Sequence, residues 1–473
     1  MSTAVAARLA AVSGGLVVDR DGAARWRDMT ISHSGVIRDI IPGPMAGDFH
    51  GVRPLDACEH RGLLDATGTV VMPGFVDAHE HLRSFAPGSR EGEGQALPEL
   101  LASSARASEA ATAADYRALT ALATARLARS GVTSAIDHIY PLHRSGMLAA
   151  AHAGHEAVGV RCALAVGVMT KVPDAIRSDP TDVFRLVDQA VDTMLPADRL
   201  FVAPVSLRQT DLDAYRASVR FATDRSLRLY THISESVDEV EQCLAEHGKR
   251  PVELLASLGF LREGTVLVHC VHLNEHDISL IADSGATVVY CPTNHAWLAK
   301  GTAPVLRMRQ AEIPVCLGLD GMPDPFAEYR QAIFAQGSAA GDPGALSTND
   351  AFALGTTAAA GTVGGSGVTG SLEPGAPADF VTLPMLAAPL QPMADPVFSV
   401  LRHATAAAVR DVVVAGEPIV RDGALVRANE SDLIDRAWAA ITGIAERAGN
   451  TPPPDWRGGA ALYPTNQQGK AIP

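Results

Sequence analysis

Apolar residues along this chain recur as short, β-branched runs separated by longer segments with helical spacing. Eight such runs stand in order: Val70–Asp77, Val132–Asp137, Val160–Val168, Leu200–Leu207, Leu227–His232, Thr265–His269, Ala286–Tyr290 and Ile313–Asp320. Near-continuous apolarity marks strands buried on both faces, as in a parallel sheet wrapped by helices. Between them, Ala113–Ser130, Leu212–Asp224, Val237–His247 and Asp277–Ser284 read as helices, with Gly131 and Gly285 standing where C-caps belong. Strand–helix alternation of this kind, eight times over about 250 residues, predicts a (β/α)8 barrel.

The flanks have another rhythm. Gly15–Val18, Met29–Ser32 and Val36–Ile40 on one side, and Asp379–Leu383, Val409–Val414 and Glu417–Arg421 on the other, are short alternating runs broken by turns such as Asp422-Gly423. The expected fold is therefore α/β: a barrel over residues 70–373 inserted in a small β-sandwich made of residues 14–69 and 374–427. Residues 428–473 add one helix, around Asp432–Arg447, and a Pro- and Gly-rich tail from Thr451 that is either free or laid over a partner subunit. A homo-oligomer, dimer or larger, is the expected assembly.

Composition narrows the class. With 47% hydrophobic residues and a mean hydropathy of +0.10, the 473-residue chain has the make-up of a soluble globular protein. A net charge of −14 gives no basic surface to offset phosphate repulsion, so nucleic acid is not an expected partner. No run of eighteen apolar residues occurs, and Met1–Val12 lacks a basic stretch followed by an apolar core, so neither membrane insertion nor export is expected. The six cysteines, Cys58, Cys162, Cys243, Cys270, Cys291 and Cys316, form no C-x-x-C pair. Scattered thiols in a chain of this size predict a reduced, cytoplasmic protein.

Candidate chemistry lies at the strand ends. His79 and His81 close the first run, and side chains two apart on a strand share a face, so both point into the barrel mouth. With sixteen histidines present, an H-x-H alone is weak. His232 ends the fifth run, His269 the sixth and Asp320 the eighth, and the C-terminal ends of barrel strands are where such enzymes keep their catalytic groups. Glu235 adds a carboxylate three residues beyond His232.

Several stretches together resemble the amidohydrolase superfamily, in its cytosine-deaminase-like and ATZ/TRZ-type aminohydrolase branch. They are Pro73–Leu82 (PGFVDAHEHL), Thr231–Ser236 (THISES), Val268–Leu273 (VHCVHL), Cys291–Pro304 (CPTNHAWLAKGTAP), Leu317–Gly321 (LGLDG) and Gly370–Val381 (GSLEPGAPADFV). The resemblance implies one divalent metal ion, zinc or in some relatives iron, held by His79, His81, His232 and Asp320. Two-metal relatives bridge their ions with a modified lysine ending strand four, and Leu200–Arg208 holds no lysine. Lys171 follows strand three and reads as a surface residue or loop anchor. By the same resemblance Asp320 takes a proton from the attacking water, Glu235 shuttles protons to a ring nitrogen and the leaving group, and His269 steadies the tetrahedral intermediate. Those roles require Asp320 to stay ionised and Glu235 to titrate at an intermediate pH.

Substrate contacts are expected from loops after the strands: His138 and Tyr140 after strand two, Arg208 and Gln209 after strand four, with Arg83–Pro98 as a lid carrying Gly88, Gly92 and Gly94. His272 and His276 read as outer residues, and Cys270 and Cys291 as packing. Around the metal Asp the chain departs from the family pattern. Asn294-His295 stands for the common Ser-Asn, Leu319 for the usual Thr, and Met322-Pro323-Asp324-Pro325 follows Gly321. The expected reaction is hydrolytic release of ammonia from an amino-substituted nitrogen heterocycle of purine, pyrimidine, pterin or triazine type. Triazine dechlorination or N-dealkylation, cyclic amide opening, and a non-catalytic binding protein on the same barrel are the alternatives.

Overall fold

The computed structural model describes residues 8–43, 62–84, 94, 97–364 and 367–454. Eight parallel strands form one sheet in chain order: Phe75–Glu80, Val132–Ile139, Arg161–Val168, Leu200–Pro204, Arg228–Ile233, Val266–His269, Thr287–Tyr290 and Val315–Leu317. The four expected helices are present. Three have the expected bounds and the fourth starts two residues earlier, at Glu275. Gly131 and Gly285 cap their helices in the left-handed conformation at φ 100° and 70°, which no Cβ opposes in glycine.

Small apolar side chains fill the barrel. Val76, Ala78, Ile136, Ala163, Ala165 and Ala203 pack around Phe201 and Tyr230, with Ala359 and Val363 closing the cluster. The sheet curls until its first and last strands meet, and there the Asp320 N–H donates to the His79 carbonyl at 3.0 Å while Leu319 N–H donates to Asp77 Oδ1 at 2.9 Å. This seam depends on Gly318. A Cβ there would stand 2.7 Å from His79 Cβ and 2.8 Å from Val289 Cγ1.

The flanks meet as one mixed sheet. Its main path runs Ala424–Leu425, Glu417–Arg421, Asp411–Val414, Phe380–Pro384, Thr69–Pro73, Ala11–Val18, Ala24–Ile31 and Ile37–Pro42, with Leu63–Asp65 paired to Ala11–Val18. N- and C-terminal flanks are joined where Thr69–Pro73 pairs antiparallel with Phe380–Pro384. Here the structure corrects the expected first barrel strand. The apolar run Val70–Asp77 is two strands, Thr69–Pro73 in the flanking sheet and Phe75–Glu80 in the barrel, because the chain changes sheet at Gly74. A Cβ at Gly74 would lie 2.2 Å from Thr133 Cγ2. A continuous apolar run hides such a change, since both halves are fully buried.

The C-terminal helix runs Glu430–Arg447 and packs Ala437 and Ala440 on Leu119 of the Ala113–Ser130 helix. Among the described residues no helix is long and apolar enough to cross a membrane. Gly88, Gly92, most of the expected lid and the tail beyond residue 454 lie outside the described residues, and a helix begins at Leu97.

The seam gives the first test. Gly318→Val forces strand eight off strand one and should destabilise the protein by about 1–3 kcal/mol. Thermal melting measures that loss, and metal analysis of the folded fraction should show a deficit, because the displaced neighbour carries His79.

Candidate metal centre and active site

His79 and His81 reach the barrel mouth through an irregular strand end. The pairing of Phe75–Glu80 with strand two shifts register between Asp77 and Glu80, and Asp77 Oδ1 accepts the His79 N–H at 3.1 Å. His232 lies near the end of strand five, and Asp320 follows strand eight with φ +46°. Ser234, His269 and Cys270 also hold positive φ, at 51°, 79° and 50°. Left-handed backbone at non-glycine residues is strained, and at His269 and Asp320 it falls on residues whose side chains face the centre.

Each candidate histidine ligand is fixed by its other ring nitrogen. His79 Nδ1 meets Tyr230 Oη at 2.7 Å, and that hydroxyl donates to the Ala78 carbonyl at 2.9 Å, so His79 Nδ1 is the donor. His81 Nδ1 donates to the His138 carbonyl at 2.9 Å, and His232 Nδ1 to the Val205 carbonyl at 2.7 Å. All three therefore present a bare Nε2. These nitrogens converge, His81 to His232 at 3.2 Å and His232 to His79 at 3.3 Å, with Asp320 Oδ1 at 3.5 Å from His79 Nε2 and 3.9 Å from His81 Nε2. Lone pairs that face one another cannot hydrogen-bond, whereas tetrahedral nitrogen ligands about 2.0–2.1 Å from a zinc ion stand about 3.3–3.4 Å apart. The donor set fits one divalent cation. The turn after Pro204, where two-metal relatives place their lysine, holds no lysine, and its Val205 carbonyl is bonded to His232.

Charge is sorted around this point. Burial pushes the carboxyls of Asp77, Glu80 and Glu328 well above the usual range. Burial acts on Asp320 too, but neighbouring groups, the Lys300 ammonium among them, outweigh it and hold that carboxyl well below its ordinary value. Burial also lowers the imidazoles, to about 4 for both His81 and His232.

Glu235 and His269 stand beside the centre. His269 Nε2 is 3.3 Å from Glu235 Oε1 and 4.0 Å from Asp320 Oδ2. Two carboxylates facing that nitrogen favour the tautomer with its proton on Nε2, which makes Nδ1 the acceptor for His295 Nε2–H at 3.1 Å. The expectation that Glu235 titrates at an intermediate pH is not met. Burial pushes it up, but the ammonium of Lys300, 2.6 Å from Oε1, prevails and lowers it below the ordinary value.

The centre opens into a cavity of about 920 Å³, within the range of small-molecule sites. His81, His232, Glu235, His269, Lys300 and Asp320 form its polar end, while Leu97, Leu101, Met169, Ile176, Trp297 and Leu298 give an apolar wall. Tyr140, Arg208 and Gln209 line it as expected, with Tyr140 Oη 3.4 Å from His81 Nε2. Arg208 turns its guanidinium to Ser236 Oγ at 2.5 Å and stands 3.7 Å from Glu235 Oε2. His138 is corrected: it is fully buried behind the candidate ligands, its ring stacked on His232 at 4.9 Å, and it does not line the cavity. Lys171 is a loop anchor, bound to the Leu207 carbonyl at 3.3 Å and near Glu246. Sequence reasoning gave no role to Tyr230, Asn294, His295 or Lys300. The last three sit inside the recognised stretch Cys291–Pro304, and the Asn294-His295 departure marked the spot.

The lowered imidazoles predict how metal binding depends on pH. With pKa values near 4 in the folded protein, protons compete with the metal only as pH falls toward 4. Zinc affinity, measured by chelator competition, should change less than about tenfold between pH 7 and 5.5, where three ordinary histidines would lose about a thousandfold.

Comparison with known proteins agrees with this geometry. A family model described as "Amidohydrolase family" matches residues 70–419. The 5-methylthioadenosine/S-adenosylhomocysteine deaminase of Halobacterium salinarum is 31% identical over 444 residues, 90% of this chain and 98% of that relative. Among solved structures, an adenosine deaminase from Xanthomonas campestris with bound zinc has a TM-score of 0.75 at 22% identity, covering 92% of this chain and 98% of its own. Atrazine chlorohydrolase from Arthrobacter aurescens complexed with zinc has a TM-score of 0.80 at 19% identity, covering 91% and 99%. At those identities the structures speak for the fold. The family match spans the whole barrel and every candidate ligand, and with it the chain is a member of the amidohydrolase family.

Proposed function

We propose that this protein hydrolytically deaminates an amino-substituted nitrogen heterocycle, using one zinc ion held by His79, His81, His232 and Asp320. The observation that carries the reading is the placement of Glu235 and His269 beside three converging Nε2 atoms at the polar end of a heterocycle-sized cavity. The named deaminase relative supports it.

A divalent metal held by His79, His81, His232 and Asp320 would supply a water acidic enough to act as the nucleophile near neutral pH. The protein's own groups do the rest. Asp320, held ionised, accepts a proton at its carboxylate. Glu235, ionised beside Lys300, carries the water's two protons in turn, the first to the ring nitrogen next to the attacked carbon and the second, after Asp320 has taken it up, to the departing amine. The His269 Nε2–H donates toward the negative charge that develops at the reacting centre. Tyr140 and Gln209 stand where the ring's edge would be read, and Leu97, Leu101 and Trp297 offer an apolar surface to a substituent on that ring. The reading includes a reduced, cytoplasmic setting, supported by five described cysteines that are buried and unpaired.

Ammonia release from purines, adenosine derivatives, pyrimidines, pterins and triazines, with metal analysis on the same sample, tests the function. We expect turnover of one class at about one metal per chain. A stoichiometry near two would overturn the single-metal site, and no release from any class would overturn the reaction. Glu235→Gln should keep its metal and lose turnover by about 100-fold or more, and normal kcat at full occupancy would remove Glu235 from its role.

A further inference from the structure

Lys300 is nearly enclosed in protein, 6% exposed, at the polar end of the cavity. It belongs to the segment after strand seven, beyond the short helix Pro292–Trp297. A buried ammonium is held only where acceptors offset its lost hydration. Its Nζ has two: Glu235 Oε1 at 2.6 Å and Asn294 Oδ1 at 2.5 Å. Asn294 is in turn fixed, its Nδ2 donating to the Asp320 carbonyl at 3.1 Å. A chain of contacts thus runs from the backbone of Asp320 through Asn294 and Lys300 to one oxygen of Glu235.

The two oxygens of Glu235 are treated unequally. Oε1 takes Lys300 Nζ and faces His269 Nε2 at 3.3 Å. Oε2 has Arg208 at 3.7 Å, beyond hydrogen-bond length. We infer that Lys300 is a positioning residue for proton transfer: by occupying Oε1 it fixes the carboxylate's orientation and leaves Oε2 as the oxygen that receives and delivers the proton. The inference rests on the proposed role of Glu235. It assigns a task to a cation that the sequence presents as one more loop lysine. In balance, one of the attacking water's two protons forms an O–H bond at Oε2 and departs to the ring nitrogen, the other is taken up by Asp320 and goes on to the departing amine, and Lys300 keeps its own protons throughout.

Two measurements test it. Without substrate, the ammonium of Lys300 in protein labelled with 15N-lysine should give a slowly exchanging NMR signal that is absent from Lys300→Met and shifts in Glu235→Gln. A Lys300 signal unmoved by Glu235→Gln overturns the pairing. In turnover, Lys300→Met should retain about one metal per chain and a KM within about threefold of the parent, while kcat falls about 10- to 100-fold, the scale seen when groups that orient active-site residues are removed. Lys300→Arg, which keeps a cation and its donors, should recover part of kcat. A parental kcat in Lys300→Met overturns the positioning role, as does a loss of kcat only in proportion to lost metal or lost fold. Failure of the unaltered protein to release ammonia from any heterocycle would instead overturn the proposed reaction, with the NMR signal still judging the pairing.

Discussion

Everything at the mouth of this barrel depends on three imidazoles whose Nδ1–H groups donate to oxygen acceptors. Tyr230 Oη, the His138 carbonyl and the Val205 carbonyl take those hydrogen bonds, and each acceptor belongs to a barrel strand or its immediate end. The tautomers are thereby fixed, and three bare Nε2 atoms converge, His81 on His232 at 3.2 Å and His232 on His79 at 3.3 Å, as ligands of one cation would. The strands are thus more than a frame for the ligands: their main-chain carbonyls and one buried tyrosine decide which nitrogen each histidine can offer. The seam between strands one and eight completes the arrangement by bringing Asp320 beside His79 through a backbone hydrogen bond.

Surrounding charge follows a simple division. Burial pushes Asp77, Glu80 and Glu328 toward their neutral forms. Asp320 and Glu235 are held ionised against the same burial by Lys300 and other neighbouring groups. The neutral acids serve as acceptors for backbone N–H groups such as those of His79, His81 and Gly321. Environment, more than residue type, separates acids that build the site from those that can move protons.

Much of this was legible in the sequence, for physical reasons. Strands buried on both faces leave apolar runs, so all eight barrel strands could be located and the polar residues at their ends picked out as a group. What escaped followed from limits of the same signal. Val70–Asp77 reads as one strand because burial is equally complete on both sides of Gly74, and only three-dimensional crowding against Thr133 shows the break. His138 was misplaced since a strand-end histidine looks the same whether it faces substrate or stacks behind a ligand. Lys300 was passed over because a lysine near a helix end normally points to water. Its burial depends on Glu235, 65 residues earlier in the chain, a pairing that no local pattern encodes.

The passage through Gly74 has a consequence for anyone dissecting this molecule. Two residues before it the chain is paired to the C-terminal flank, and five residues after it comes the first candidate ligand. The flanking sheet also grips the barrel elsewhere: Arg161 of strand three pairs with Asp379, whose second contact is the Ala415 N–H. A barrel excised at residue 75 would begin with a frayed end that carries His79 and His81, two of the proposed metal ligands. The small sheet is best seen as the clamp on that end. Circular permutants, shuffled domains and minimal barrels made from this chain will have to supply an equivalent anchor before they can hold an ion.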